Sequence, residues 1–373
     1  MMKPLPSFWR AIEDTVGTST DRLEWQELLG DEWHVAHHLL RPTGQLAKQI
    51  ACPSPGGDGC PRHVVPHRDG TFSAVCGDSP RRCSTLRLSR ADVAILAVDR
   101  PKLTRQLAVV FGTRGDVSTQ QELRNSYFLG RHMVAAGLGA PVYVSFPGSR
   151  DELREAGHTF VHLASGPFVL LTPTGRLVDL PLAERVRRSG SMLLALEDTI
   201  GLGAEGRLVG TSPAHQLLKP VREAMLRSAL DSRSAPVWLL PPDASWGELI
   251  LEFDATQMLK ITFRDETRRF EPVDLGMRDN RTKQPSLQWT LLRQMALAGG
   301  RLSWTDEGAG SRIKKQKQEL SDKLKAAFGI HGSPIEWDSS AAAYVARFVL
   351  RTGRLRHDAE QVRPSPNGRR ADR

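Results

Sequence analysis

Residues 311–328 read SRIKKQKQELSDKLKAAF, and this stretch decides how the C-terminal part of the chain is interpreted. Its apolar side chains repeat at intervals of seven and four residues, so they fall on one face of a helix. They are Ile313, Leu320, Leu324 and Phe328. Basic side chains dominate the other faces, where only Glu319 and Asp322 are acidic. The stretch therefore predicts an amphipathic helix with a basic exposed face, which Ser311 can cap and Gly329 can end.

The segments on either side of this helix also have regular patterns. A helical pattern over residues 286–298 precedes it and ends at two glycines. After it, residues 334–337 and 343–350 have the composition of two strands joined by the turn at 338–340. A helix, a basic helix and a β-hairpin follow one another in a winged helix-turn-helix, which places a helix in the major groove and a wing on the adjacent backbone.

Roughly residues 270–352 resemble the winged-helix domains of the response-regulator type. The likeness lies in this order of elements and in Ile313 and the series Leu320-Ser321-Asp322-Lys323-Leu324, which is similar to the apolar skeleton of that family's recognition helix. No phospho-receiver domain precedes the segment in recognisable form, so the family's signalling role is not carried over. The alternative is a basic solvated helix in a small α+β domain that binds a protein.

The resemblance implies double-stranded DNA as the partner of this segment. The candidate DNA contacts are the basic and amide side chains of the helix and one arginine of the hairpin. They are Arg312, Lys314, Lys315, Lys317, Gln318 and Arg347. Lysine and arginine supply phosphate contacts, which orient a protein on the duplex.

The composition supports an anionic partner. The chain of 373 residues has 51 Lys and Arg against 42 Asp and Glu, a formal net charge of +9, which favours nucleic acid. Its 40% hydrophobic residues suffice to bury hydrophobic cores, so a largely disordered chain is not expected.

The C-terminal residues 353–373 are rich in arginine and poor in apolar side chains. This composition predicts a flexible basic tail. A solvated terminus without a partner is the alternative for this tail.

The sequence predicts a cytoplasmic protein without a membrane segment. Its N-terminus lacks the apolar core of a secretory signal, and no run of about 18 apolar residues occurs. Four cysteines in so long a chain are too few for a disulfide scaffold. In a reducing compartment they would be thiols or metal ligands.

All four cysteines lie within residues 51–85, which also contain a predicted hairpin of residues 62–65 and 71–75. This knuckle–hairpin–knuckle layout resembles a zinc ribbon. The resemblance implies a structural Zn²⁺ held by Cys52, Cys60, Cys76 and Cys83. The cysteine pairs are separated by seven and six residues, which exceeds the usual spacing, and His63 or His67 remains open as a replacement ligand. Four reduced cysteines in a loop are the alternative.

Residues 86–211 alternate apolar β runs with helical stretches, which predicts a small parallel α/β domain. A ligand of such a sheet would lie at the carboxyl ends of its strands, although a scaffold or protein-docking domain fits the pattern equally well. The remaining parts are an N-terminal helical segment, a helical connector, and a β-hairpin joined to the winged helix. Their predicted bounds are 1–50, 212–235 and 236–352.

Among enzyme classes, three charged residues of one predicted hairpin suggest a metal-dependent nuclease. Strand alternation places Glu252 and Asp254 on one face, with Lys260 on the next strand. Such acidic groups can hold a metal, but the preceding Asp in its usual Pro-Asp setting is missing, and charges on the solvent face of a hairpin explain the same residues. No catalytic residue is therefore predicted.

The predicted fold class is an α/β and α+β multidomain protein with a zinc-ribbon-like module, a small parallel α/β domain and a C-terminal winged helix. The predicted function is DNA binding, as a transcriptional regulator. The alternative is a non-catalytic recognition or adaptor subunit, with protein partners, in a phage-defence or mobile-element complex. A metal-dependent nuclease ranks third.

Overall fold

The computed structural model describes residues 2–14, 19–52, 60–120, 123–203, 205–232, 236–254, 256, 258–303 and 313–353. The chain is a mixed α/β protein with several sheets, as its alternating patterns predicted. It forms two compact units, Met1–Ala235 and Pro236–Arg373, which we call unit 1 and unit 2. None of the described helices combines the length and the hydropathy that crossing a bilayer demands.

Unit 1 contains helices and strands in alternation. The described helices are α1 Pro6–Asp14, α2 Arg22–Leu29, α3 Trp33–Ala36, α4 Arg100–Val110, α5 Arg150–Leu163, α6 Leu180–Arg188, α7 Leu196–Thr199, α8 Ala214–Leu217 and α9 Lys219–Asp231. The described strands are β1 Lys3–Pro4, β2 Thr20–Asp21, β3 Leu40–Leu46, β4 Gln49–Ala51, β5 Pro61–Pro66, β6 Phe72–Cys76, β7 Leu86–Leu88, β8 Ala94–Val98, β9 Thr113–Arg114, β10 Ser118–Thr119, β11 Ser126–Ala135, β12 Leu138–Ser145, β13 Val169–Thr172, β14 Met192–Ala195, β15 Ile200–Leu202 and β16 Leu208–Gly210.

The central sheet of unit 1 has the order β10-β11-β12-β13-β14, with β9 also paired to β11. Strands β12, β13 and β14 are parallel, as the apolar β runs predicted, and α5 and α6 connect them. Both faces are covered because side chains alternate along each strand. Leu170 packs with α5 and α6, whereas Val169 and Leu171 pack on the other face with α1, α4 and α9.

Two predictions for unit 1 need correction. The segment 1–50 is not helical throughout, because β3 pairs with β8 and β4 joins the sheet of the cysteine module. Pro42 and Gly44 lie in β3, and both residue types disfavour helix. Helix α9, predicted as part of a connector, instead belongs to the core of unit 1, where Leu218 and Val221 are fully buried. The long antiparallel strand β11 was not predicted.

The cysteine module is a four-stranded antiparallel sheet of order β4-β5-β6-β7. The predicted hairpin is confirmed, since Val64 of β5 pairs with Ala74 of β6. The core of this sheet is small and contains Ala47, Ile50 and Ala74. Packing of so few apolar residues supplies little of the stability that a separate module needs.

Unit 2 has two sheets and two described helices. Its strands are β17 Leu249–Phe253, β18 Leu259–Phe263, β19 Glu266–Phe270, β20 Arg301–Ser303, β21 Ile335–Asp338, β22 Ala343–Ala346 and β23 Val349–Thr352. Its helices are α10 Leu287–Leu297 and α11 Ile313–Phe328. One sheet has the order β19-β18-β17-β23 and the other β20-β22-β21. The predicted β17–β18 hairpin is confirmed, with Leu251 opposite Ile261.

Helix α11 buries the stripe that its sequence predicted. Ile313, Leu320, Leu324 and Phe328 are each at most 3% exposed. Phe328 packs edge-on against Trp246 and Phe270, which fixes the helix on the β19-β18-β17-β23 sheet. Strands β21 and β22 pair as predicted, but the single strand expected over 343–350 was wrong. The chain leaves the hairpin after Ala346, and β23 pairs with β17 in the other sheet.

Lowering the pH from 7 to 5.5 is expected to destabilise unit 1 through His132, which is 7% exposed. Its Nδ1 donates to the Phe111 carbonyl at 2.8 Å, and its Nε2 accepts from Arg222 Nη1 at 3.0 Å. Burial lowers the pKa of His132, Arg222 lowers it further, and the Phe111 hydrogen bond opposes the shift. Because the unfolded chain takes up the proton first, this contribution to stability is complete above the unfolded pKa of about 6.5 and is lost as the pH falls from there to the lower folded-state pKa.

The matched control is His132→Gln, because a glutamine amide can donate to Phe111 and accept from Arg222 without titrating. Chemical denaturation at a series of pH values should show a wild-type free energy of unfolding that falls by about 1.4 kcal/mol for each unit of pKa difference. The variant should lack this component. Parallel pH profiles for the two proteins would contradict the prediction.

Candidate metal centre and candidate nucleic-acid interface

The strand register brings the four cysteines to one end of the cysteine module. Cys52 follows β4 and Cys60 precedes β5, and their neighbours Ala51 and Pro61 are paired. Cys76 ends β6, and Cys83 lies in the connection from β6 to β7. The sheet therefore gathers side chains that are up to 31 positions apart in the sequence.

The sulfur atoms are spaced for a metal ion. Cys83 Sγ lies 3.4 Å from Cys76 Sγ and 3.7 Å from Cys52 Sγ. A tetrahedron of sulfurs with bonds of about 2.3 Å to zinc has edges of about 3.8 Å. A disulfide would need about 2.05 Å, and none of the four cysteines forms one. Two overlapping groups of side chains could hold an ion, and within each group the ligand atoms lie within 4.8 Å of one another. One group is Cys52, Cys60 and Cys83, and the other is Cys60, Cys76 and Asp78.

The turn after β6 lowers the pKa of one cysteine. Hydrogen bonds from the backbone amides of Asp78 and Arg82, together with Cys83, lower the pKa of Cys76 to about 7. The neighbouring Cys76 side chain and burial raise the pKa of Cys83 to about 12. Without an ion the two sulfurs therefore do not both ionise near neutral pH. A bound cation reverses this, because metal ligation releases thiol protons.

Arg62 lies against this cluster and is fully buried, with 0% of its surface exposed. Its Nε donates to Cys52 Sγ at 3.2 Å, and its Nη1 donates to the Ser84 carbonyl at 2.6 Å. The hydrogen bond to Cys52 raises the pKa of Arg62, so the guanidinium keeps its charge inside the module. Sequence reasoning missed this residue. Arg62 pairs with Cys76 across β5 and β6, but no local sequence pattern indicated that its side chain is buried.

The two histidines that were open as replacement ligands make other contacts. His63 is exposed, with Nδ1 3.3 Å from the Gln49 amide, and His67 Nε2 is 2.7 Å from Ser73 Oγ. Among the described residues, neither histidine belongs to a group that can hold an ion. The candidate ligands are therefore the cysteines, with Asp78 as the competing carboxylate.

The predicted DNA contacts on α11 lie off the buried stripe. Lys314, Lys315 and Gln318 are exposed. Lys315 forms an exposed ion pair with Glu319 at 3.9 Å, and Gln318 donates to Asp322 at 3.0 Å. Arg312 lies outside the described residues. These exposed local contacts contribute little to stability.

Lys317 links α11 to the hairpin of β21 and β22. Its ammonium lies over the Tyr344 ring, 5.3 Å from the centroid. Tyr344 in turn meets Trp337 edge-on at 5.1 Å, and Trp337 is 46% exposed. Arg347 follows the hairpin and pairs with Glu336 at 3.1 Å. Helix and hairpin therefore present one surface, which we call the helix–hairpin surface, and its aromatic part was missed from sequence although Trp337 and Tyr344 face each other in register.

The candidate nuclease residues have structural contacts. Asp254 accepts hydrogen bonds from the amides of Thr256 and Met258 at 2.9 and 3.1 Å, so it caps the turn between β17 and β18. The Thr256 side chain is the main cause of the lowered pKa of Asp254. Glu252 accepts from Arg351 Nε at 2.7 Å. Within the described part of the chain, neither carboxylate belongs to a group that can hold a metal.

The loop that follows β13 is bound by two carboxylates of the protein itself. Glu13 of α1 accepts from the Thr174 amide at 2.9 Å and from the Thr174 hydroxyl at 2.6 Å. Glu197 of α7 accepts from the Gly175 amide at 2.9 Å. These carboxylates accept hydrogen bonds from the Thr174 and Gly175 donors of the loop.

Comparison of this chain with protein-family models, with curated proteins and with solved structures gives no match. The functional argument therefore starts from the geometry of the cysteine cluster and of the helix–hairpin surface.

Proposed function

We propose that this protein binds double-stranded DNA through unit 2, as a transcriptional regulator, with α11 in the major groove and the β21–β22 hairpin as a wing. We further propose that the four cysteines hold a structural Zn²⁺. The contact of Lys317 with Tyr344 carries the first proposal, because it joins the basic helix and the hairpin in one continuous surface. Tetrathiolate ligation in a reducing cytoplasm suits the second.

The chemistry of the helix–hairpin surface suits a duplex. Exposed lysines of α11 would contact phosphates, and Gln318 is a side chain that can read an adenine edge once it leaves Asp322. Trp337 and Arg347 would reach the backbone beside the groove. The buried stripe keeps α11 fixed, so these side chains are presented on a rigid element.

Fluorescence anisotropy with a labelled duplex tests the proposed function. We expect saturable binding at low salt and an affinity that falls steeply as the salt concentration rises, because phosphate contacts release counterions. Heparin, a polyanion, competes for purely ionic contacts with the protein. An uncharged polymer tests for adsorption that does not depend on charge. Absence of saturable binding at low salt would instead favour the adaptor role, with a protein as the partner of the helix–hairpin surface.

Purified protein is expected not to cleave duplex DNA with magnesium or manganese, because Asp254 caps a turn and Glu252 pairs with Arg351. A plasmid-nicking assay measures this. The matched variant is Asp254→Ala. Robust cleavage by the wild type that disappears in this variant would overturn the structural assignment of the two carboxylates and favour the nuclease hypothesis.

A further inference from the structure

We propose that a cavity of unit 1, between the start of α2 and strand β4, binds the ammonium group of an aliphatic primary amine. Asp21 and Glu24 hold the ammonium, and an apolar floor holds the aliphatic chain. The cavity shares no lining residue with the cysteine cluster or with the helix–hairpin surface, so this site is independent of the proposed function.

The cavity has a volume of about 370 Å³, which is within the range of small-molecule sites. Strand β2 and the first turn of α2 form one wall, and residues 47–51 form the opposite wall. Its floor is apolar, because Ile50 and Ala47 are 3% and 9% exposed and Ile95 packs against them. An apolar floor below polar walls suits a ligand with a hydrocarbon chain and one charged group.

Asp21 brings a buried carboxylate to this cavity, with 5% of its surface exposed. It pairs with Ile95 across β2 and β8, so the two side chains project from the same face of the sheet. Its Oδ1 caps α2 by accepting from the amides of Leu23 and Glu24 at 2.9 and 3.1 Å. Among the described residues, its Oδ2 accepts no hydrogen bond. The cap therefore uses one carboxylate oxygen and leaves the other for a ligand.

The charges around Asp21 favour a cationic ligand. Burial raises the pKa of Asp21, the amides of Glu24 and Leu23 lower it, and the charge of Glu24 raises it again. A buried carboxylate is costly unless a cation accompanies it. Glu24 accepts from the Thr20 hydroxyl and follows Asp21 by three positions, so its carboxylate lies on the same wall. An ammonium group supplies both the positive charge and the three donors that two carboxylates can share.

The lining residues also separate an ammonium from a metal ion. In the part of the chain that the structure describes, neither Asp21 nor Glu24 belongs to a group of three side chains that could hold a metal. The apolar floor offers a divalent ion no oxygen ligands, whereas it accommodates methylene groups. Lys48, which is exposed on the opposite wall, would attract a carboxylate. The ammonium can therefore come from a simple amine or from a free amino acid.

Titrations of the full-length protein, followed by saturation-transfer NMR, test the site with pentylamine and with its uncharged analogue pentanol. The variant is Asp21→Asn, since asparagine keeps the helix cap and removes the charge. Asp99→Asn is the matched control, because Asp99 caps α4 through the Lys102 amide at 3.0 Å and lies outside the lining of the cavity. We expect pentylamine to bind the wild type at least about fivefold more tightly than pentanol does. Asp21→Asn should lose at least about fivefold in pentylamine affinity, whereas Asp99→Asn should bind like the wild type.

Norleucine, which is pentylamine with a carboxylate on its first carbon, distinguishes the two sources of the ammonium. Tighter binding of norleucine than of pentylamine, with the advantage lost in Lys48→Gln, would identify a free amino acid. Tighter binding of pentylamine would identify a simple amine. Either order supports the ammonium site.

Thermal melting separates binding from folding, because a ligand of the native state raises the midpoint. Pentylamine should raise the midpoint of the wild type and of Asp99→Asn but not that of Asp21→Asn. If Asp21→Asn does not fold, Glu24→Gln decides, with a weaker affinity for pentylamine as the expected result. Three results would each overturn the site: a wild type that does not bind pentylamine saturably, equal affinities for pentylamine and pentanol, or equal losses in Asp21→Asn and Asp99→Asn.

Discussion

The Cys76→Ser variant is expected to purify without zinc and with the β4-β5-β6-β7 sheet unfolded. A closed site with four ligands does not tolerate the loss of one thiolate, and a serine hydroxyl does not ionise near neutral pH. The small core of this module cannot compensate, because its cluster of buried apolar residues consists of Ala47, Ile50 and Ala74 among the described residues. Structural zinc contributes about 10–16 kcal/mol in small domains, so this is the largest effect that we expect from a single substitution.

Elemental analysis and limited proteolysis measure the result. The wild type should carry about one zinc per chain, and Cys52→Ser should behave like Cys76→Ser. Treatment of the wild type with a strong chelator should reproduce the same proteolytic pattern within residues 49–88. Ser73→Ala, an exchange on β6 away from the sulfurs, serves as the control. Wild-type protein without zinc, or a Cys76→Ser variant with full zinc content, would contradict the metal assignment.

The variant in which Lys314, Lys315 and Lys317 are all replaced by alanine is expected to bind duplex DNA at least about tenfold more weakly than the wild type at moderate salt. These side chains lie off the buried stripe of α11, so the thermal midpoint should stay close to that of the wild type. Lys317 also loses its contact with Tyr344, which costs at most about 1 kcal/mol at an exposed site.

The matched control variant removes three positive charges from other parts of the chain. Lys3, Lys219 and Lys260 are exposed and lie outside the helix–hairpin surface. Their triple replacement by alanine should weaken binding only through the general loss of positive charge. An equal loss in both triple variants would show that net charge, rather than α11, determines the affinity.

Much of the fold was predictable where a local pattern determines the structure. The period of Ile313, Leu320, Leu324 and Phe328 fixed which face of α11 is buried. Short turns fixed the β5–β6 and β17–β18 hairpins, because neighbouring strands with a tight turn pair in only one register. The apolar runs that became β12, β13 and β14 indicated a sheet buried on both faces.

The features that sequence reasoning missed depend on distant partners. Strand β19 reads Glu-Thr-Arg-Arg-Phe, a polar series that is typical of a turn. It forms a strand because its backbone pairs with the edge of β18. Strand β23 pairs with β17 across about a hundred positions of sequence, as the contact of Glu252 with Arg351 shows with a separation of 99. No local pattern encodes such pairings.

The candidate metal centre was predictable in part. Clustering of the cysteines indicated a shared site, because unpaired thiols have no reason to gather in one short segment of a long chain. The buried guanidinium of Arg62 was not predictable, because arginine in a strand is ordinarily assigned to the solvent face. Its burial became evident only when Cys52 and Ser84 were placed around it.

The salt dependence of duplex binding tests the central claim most directly. Anisotropy titrations of the wild type and of both lysine triple variants over several salt concentrations give the slope of log affinity against log salt. If α11 faces DNA, the Lys314, Lys315 and Lys317 variant should have a slope shallower by about two to three, roughly one for each phosphate contact removed, while the control variant keeps the wild-type slope. Unchanged affinity and slope in the α11 variant would contradict the account, and the helix–hairpin surface would then be a docking site for a protein.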